Sequence, residues 1–94
     1  MVILKKHPPI TSWQTLLEEE MYFAEDSGPV VHCTLSDEEM KEEFDFGFGT
    51  SKGKPFTAWT EDRVYFPAVY DGAEWVNSAP RNPCDESTNH VGGQ

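Results

Sequence analysis

Basic residues are what this chain has least of. Seven lysines and arginines stand against seventeen acids, for a formal net charge of −10 over 94 residues. A chain so short of positive charge repels nucleic acid, anionic membranes and phosphorylated substrates, so direct binding of any of these is not expected. Long apolar runs are also lacking, and none approaches the roughly 20 residues that span a bilayer. In Met1-Val2-Ile3-Leu4-Lys5-Lys6-His7-Pro8-Pro9 the lysines follow a very short apolar stretch, the reverse of the order in a secretory signal. The expectation is a cytoplasmic protein in which Cys33 and Cys84, the only cysteines, are reduced thiols. In an exported chain the two would instead form a bridge.

Room is limited too. A chain of this length forms one domain and buries only about 60–65% of the surface its unfolded form exposes. A large internal active-site cavity is therefore not expected, and function is sought on the surface. What the chain does have is aromatics: three tryptophans, three tyrosines and six phenylalanines. Each buries a large apolar area, which argues for a folded core rather than disorder.

The charge is concentrated. Between Glu18 and Asp45 lie eleven acids (Glu18, Glu19, Glu20, Glu25, Asp26, Asp37, Glu38, Glu39, Glu42, Glu43, Asp45) and one base, Lys41. This segment carries the whole −10, because the other residues hold six acids and six bases.

Local patterns give an α+β reading in the order β-α-β-α-β-β-β. Residues 2–6 form a short first strand. Thr11-Ser12-Trp13-Gln14 fits a capping box with Thr11 as N-cap, opening a helix over 12–24 with the apolar stripe Trp13, Leu16, Leu17, Met21 and Ala24. Glu20 falls inside that stripe, and its stem is expected to lie on the core with the carboxylate in water. Ser27-Gly28-Pro29 ends the helix. Val30 to Leu35 reads as a buried strand by its β-branched content. Ser36-Asp37-Glu38-Glu39 is a second capping box, opening a helix over 37–44. A glycine-rich connection follows from Phe46 to Pro55. The rest is an antiparallel meander: 56–60, 63–70 and 73–77, with Asp71-Gly72 as a hairpin turn and Pro67 at an edge or bulge. One small antiparallel sheet with both helices on one face results. The domain occupies residues 1–79, and 80–94 has the composition of a loose tail.

Several kinds of chemistry can be weighed against these residues. His32, Cys33, Cys84 and His90 are metal-ligand types, but Cys84 and His90 are spaced C-x5-H rather than in zinc pairs, and adjacent His32 and Cys33 point to opposite faces of a strand. Cysteine nucleophiles need an electropositive setting that this chain does not offer. The Gly47 to Lys54 segment lacks the G-K-[ST] order of a phosphate loop. Trp59, Tyr65, Phe66, Tyr70 and Trp75 resemble a base-stacking platform without the positive groove such platforms need. No catalytic residue, metal or cofactor is therefore expected.

The acidic segment remains. Carboxylates spaced i, i+3 and i+4, such as Glu38, Glu42 and Asp45 or Glu39 and Glu43, would form rows of like charge on a helix, which lowers helix stability. The leading expectation is a non-enzymatic inhibitor or adaptor. Its acidic helices would occupy the basic groove of a nucleic-acid-handling protein such as a nuclease, as nucleic-acid mimics of the phage anti-defence or nuclease-immunity type do. Expected contacts are Glu18, Glu19, Glu25, Asp37, Glu38, Glu42, Glu43 and Asp45. One alternative is an interaction module that binds protein through its aromatic hairpin sheet, with acidity only for solubility. A second alternative is a small metal-binding protein using His32 or Cys33 with Cys84 and His90.

Overall fold

The computed structural model describes residues 10–45, 53–70 and 73–92. It is a small α+β fold of two helices and two antiparallel sheets. β1 (Ile10–Ser12) leads directly into α1 (Trp13–Phe23), followed by β2 (His32–Cys33), α2 (Asp37–Lys41) and β3 (Glu43–Asp45). β4 (Ala58–Trp59), β5 (Arg63–Tyr70) and β6 (Ala73–Pro80) complete the chain order. The larger sheet runs β2-β4-β5-β6, and β1 pairs with β3. The expected strand over 2–6, most of the glycine-rich connection and the Asp71-Gly72 turn lie outside the described residues. The pairs flanking that turn are in register, from Tyr70 with Ala73 to Arg63 with Pro80.

The first helix starts one residue later than its capping pattern implies. Thr11 is held in the β1–β3 ladder opposite Phe44, so Ser12 becomes the N-cap and accepts a 3.3 Å hydrogen bond from the Thr15 amide. The second capping box forms as read. Ser36 Oγ accepts from the Glu39 amide at 3.1 Å, and Glu39 Oε1 accepts from the Ser36 amide at 2.9 Å. That helix nevertheless stops at Lys41, because Glu42 turns extended (φ −63°, ψ 134°) and the chain enters β3. The change places Phe44 against Trp13, with ring centroids 4.8 Å apart. A side-chain contact across the fold has overridden the local preference for helix.

Trp13 is the hub of the core. It packs with Leu16, Leu17, Met40, Phe56, Ala58, Tyr65 and Val76, and its indole Nε1 donates to the Lys54 carbonyl at 2.9 Å. Gly53 lies so close that a Cβ there would sit 2.7 Å from Trp13 Cε2, which explains glycine at this position. The Gly53 amide in turn donates to the buried carboxylate of Glu74 at 3.1 Å.

β2 differs from the buried strand expected over 30–35. It is an edge strand with Val30 and Val31 exposed, and Cys33 and Leu35 alone of this stretch pack on the core. Only one side of an edge strand has a neighbour, so β-branched content does not by itself mean burial. Pro67 stands where its missing N–H does no harm, since β4 reaches only Val64 and Tyr65 of β5. Among the described residues no helix is long and apolar enough to cross a membrane.

Candidate protein-binding face

The acidic segment divides into carboxylates that turn inward and carboxylates that turn outward. The division begins at the end of α1. Ala24 is the C-cap, the Glu25 amide donates to Tyr22 O at 3.1 Å, and the Asp26 amide donates to Met21 O at 2.9 Å. This is the Schellman arrangement, with Glu25 in the left-handed position (φ 59°) that glycine usually fills. Helix α1 therefore stops before the Ser27-Gly28-Pro29 turn expected to end it. The strained backbone at Glu25 delivers the next side chain into the protein.

Asp26 is the most heavily used of the inward acids. Its Oδ2 accepts 2.6 Å hydrogen bonds from both Thr60 Oγ1 and Tyr65 Oη, and its Oδ1 accepts from the Gly28 amide at 2.9 Å. Burial pushes this carboxyl up, but the three donors and the Arg63 charge outweigh it and hold Asp26 below its ordinary value of 3.8. The opposite happens to Tyr65, whose phenol is fully buried. Burial, then its bond to Asp26, raises it well above its ordinary value. Thr60 Oγ1 also accepts from the Asp62 and Arg63 amides, closing the β4–β5 turn.

Beside this knot lies a second polar chain. Glu20 Oε2 accepts from Ser78 Oγ at 2.7 Å, and Ser78 Oγ accepts from Arg63 Nε at 3.0 Å. The guanidinium also grips both oxygens of Glu86 at 3.0 Å, and this pairing holds Glu86 below the usual carboxylate range. Glu20 thus ends on a sheet hydroxyl instead of in water alone. Residues 81–92 contain no helix or strand; Glu86 ties them to the sheet, as do the Arg81 bonds to the Asp62 and Thr60 carbonyl groups.

Glu39 is the other internally used acid. The Ser36 amide, then Lys54, holds it below its ordinary value, and Lys54 Nζ lies 3.4 Å from Glu39 and 3.2 Å from Glu42. Lysine 54 is raised in turn, by Glu42 first and Glu39 second. Because α2 ends at Lys41, the expected helical rows Glu38–Glu42–Asp45 and Glu39–Glu43 do not form. Glu42 is a C-cap, and Glu43 and Asp45 stand on β3 opposite Ser12 and Ile10.

The other acids of the segment face water. Glu18 and Glu19 are exposed on the outer side of α1, Glu25 just beyond its end, Asp37 and Glu38 on the first turn of α2, and Glu42 and Glu43 where the chain leaves α2. Asp45 is half-buried. Glu18 accepts from Gln14 at 3.2 Å, whereas Glu19, Glu25, Asp37, Glu38 and Glu43 have no side-chain partner among the described residues. Glu43 pairs with the N-cap of α1, Glu18 and Glu19 lie midway along the helix, and Glu25 follows its last turn. Exposed acids therefore stand beside both ends and the middle of α1, a helix about 16 Å long at 1.5 Å of rise per residue.

Two adjacent aromatic residues at the end of α1 are exposed, Tyr22 on its outer side and Phe23 on its flank. Tyr22 is 78% and Phe23 76% exposed, with ring centroids 5.5 Å apart in an edge-on arrangement. Together with Thr15, Glu18 and Glu19 they line an open surface hollow. The sequence signals this pair weakly: Tyr22 falls opposite the apolar stripe, but Phe23, seven residues after Leu16, falls at its edge and reads as part of the core side.

The aromatic hairpin residues are less available. Tyr65 is buried, Trp59, Phe66 and Trp75 are half-buried, and only Tyr70 is largely exposed. Cys33 and Cys84 are free thiols, Cys33 against the core and Cys84 exposed beyond β6. His32 stacks on Trp59 at 5.3 Å. Among the described residues no three His, Cys, Asp or Glu side chains come together as a metal-binding group. The chain matches no protein-family model, no curated protein and no solved structure.

Proposed function

We propose that this protein is a non-enzymatic binder of a basic, nucleic-acid-handling protein in the cytoplasm, which it engages through its outward carboxylates. The observation that carries this reading is the set of exposed acids without partners: Glu19, Glu25, Asp37, Glu38 and Glu43. The fold answers its inward acids with hydroxyls, amides, Lys54 and Arg63, and leaves these unanswered. Unpaired like charges disfavour the compact state and hasten encounter with a surface of opposite sign. Exposed Glu18 and Glu42 and half-buried Asp45 complete the proposed contact set; Glu18 is engaged by Gln14 and Glu42 by Lys54, both in solvent-exposed contacts.

The nucleic-acid-mimic form of this reading is supported by the exposed acids beside both ends and the middle of α1 and by the small number of bases. The test is a pull-down with the untagged, immobilised protein from its native host, followed by challenge of the retained proteins with double-stranded DNA and with salt. A retained nucleic-acid-binding protein that is released by DNA, and released steeply as salt rises, is the expected result. Retention that ignores both DNA and salt would overturn the proposal.

A further inference from the structure

We infer that Tyr22 and Phe23, framed by Glu18 and Glu19, form a docking spot for arginine side chains of a basic partner segment. This rests on the proposed function and assigns its centre of contact. Two large rings with more than three-quarters of their surface in water stand out among the described aromatics, of which Tyr70, at 56%, is the next most exposed. Tyr22 points away from the core that Trp13, Leu16 and Leu17 meet. Phe23 lies at its margin, seven residues after Leu16, where it also lines a hollow with Leu16, Glu19, Glu20, Trp75 and Val76 while keeping its ring in water.

The occupant follows from the charges around the rings. An apolar peptide would leave Glu18 and Glu19 facing it without compensation, and an anionic membrane would be repelled by them. A second copy of this face would bring the same carboxylates together. An arginine meets both halves of the spot: its planar guanidinium stacks on an aromatic face, and its N–H groups pair with a neighbouring carboxylate. Lysine meets only the charge, because its ammonium is compact and strongly hydrated. Nucleic-acid grooves use arginine in this double way, on phosphates and on unstacked bases. Rings among carboxylates offer such a groove the same pair of features.

The experiment compares a short arginine–glycine peptide with its lysine–glycine counterpart, by calorimetry at low salt, on the whole protein. Wild type is expected to bind the arginine peptide about two- to fivefold more tightly, the effect of one exposed cation–π contact. Replacing the rings (Tyr22→Ser with Phe23→Ser) is expected to remove that preference while retaining binding of both peptides. Glu18→Gln with Glu19→Gln is expected to weaken both. All four side chains are outside the core, and circular dichroism checks that each variant is folded. Equal affinity for the two peptides, unchanged by the ring replacements, overturns the docking spot and leaves the acidic-surface reading standing. Failure to bind either peptide overturns both. Sedimentation that shows wild-type self-association, abolished by the ring replacements, overturns the arginine assignment in favour of a second copy.

Discussion

Glu25 and Asp26 are consecutive acids with opposite employment. Asp26 is held by three donors, Gly28 after α1, Thr60 in the β4–β5 turn and Tyr65 on β5, whereas Glu25 faces water in a left-handed backbone conformation. The same contrast runs through the whole segment from Glu18 to Asp45. Its inward acids are structural parts of the fold, whereas Glu19, Glu25, Asp37, Glu38 and Glu43 contribute charge without a side-chain partner among the described residues. Formal charge is therefore a poor guide to which carboxylate is available for recognition; the partner of each one decides.

The sharpest way to break the comparison is Asp26→Asn. Turned toward Gly28, the amide NH2 meets a fixed N–H donor; turned toward Thr60 and Tyr65, it forces hydroxyls that now donate to a carboxylate to accept instead. The loss should be about 2–3 kcal/mol, from hydrogen bonds to a charged group and donors left poorly matched. For a domain of this size that lowers Tm by roughly 10–20 °C, measurable by thermal denaturation. A loss no larger than that of an outward acid would end the distinction drawn here.

The same knot sets a pH dependence at both ends. Asp26 is depressed in the folded state, so its contribution is complete above the ordinary 3.8 and is lost as pH falls below it. Tyr65 is raised, so its contribution is complete below the ordinary 10.0 and is lost as pH rises past it. Urea midpoints across pH should therefore decline on both sides of neutrality. In Asp26→Asn the acid limb should become shallower, because one of the lowered carboxyls that titrate there, besides Glu39 and Glu86, is gone.

Much of this was legible in the sequence, and the failures have definite causes. The α+β class, the Ser36–Glu39 capping box and the span of β5 could be read because local chemistry and tertiary structure agree there. The short β3 could not, because Glu42 to Asp45 leaves the helix to bring Phe44 onto Trp13, a contact between residues 31 apart in sequence. Asp26 was visible only as one more acid in a run. Its partners Thr60 and Tyr65 lie 34 and 39 residues away, in the β4–β5 turn and on β5, whose placement no local pattern reveals. Glu20 did stand out, as an acid inside an apolar stripe, yet nothing nearby in sequence names Ser78 as its partner.

Glu25→Gly tests the outward side at the point where the backbone is strained. A side chain in the left-handed region is disfavoured by roughly 1–2 kcal/mol, and the greater freedom of glycine in the unfolded chain returns part of that. The net expectation is a gain of about 0.5–1 kcal/mol in stability, read from chemical denaturation. The variant also removes one outward charge. It should thus be more stable and bind a basic partner less well, a combination that an acid serving only the fold cannot give.

The smallest effect is expected from Glu19→Gln, and its smallness is informative. Glu19 sits between Glu18 and Glu20 on the exposed side of α1 and has no side-chain partner among the described residues. Glutamine has a helix propensity close to that of glutamate, so the substitution tests charge almost alone. Removing one of three adjacent negative charges should shift stability by less than about 0.5 kcal/mol, and upward. If Glu19→Gln instead lowered Tm as Asp26→Asn does, the acid would have a structural role and the division between inward and outward carboxylates would fail at its simplest case. If stability holds while affinity for an arginine-bearing peptide falls, that carboxylate is kept for a partner outside the chain.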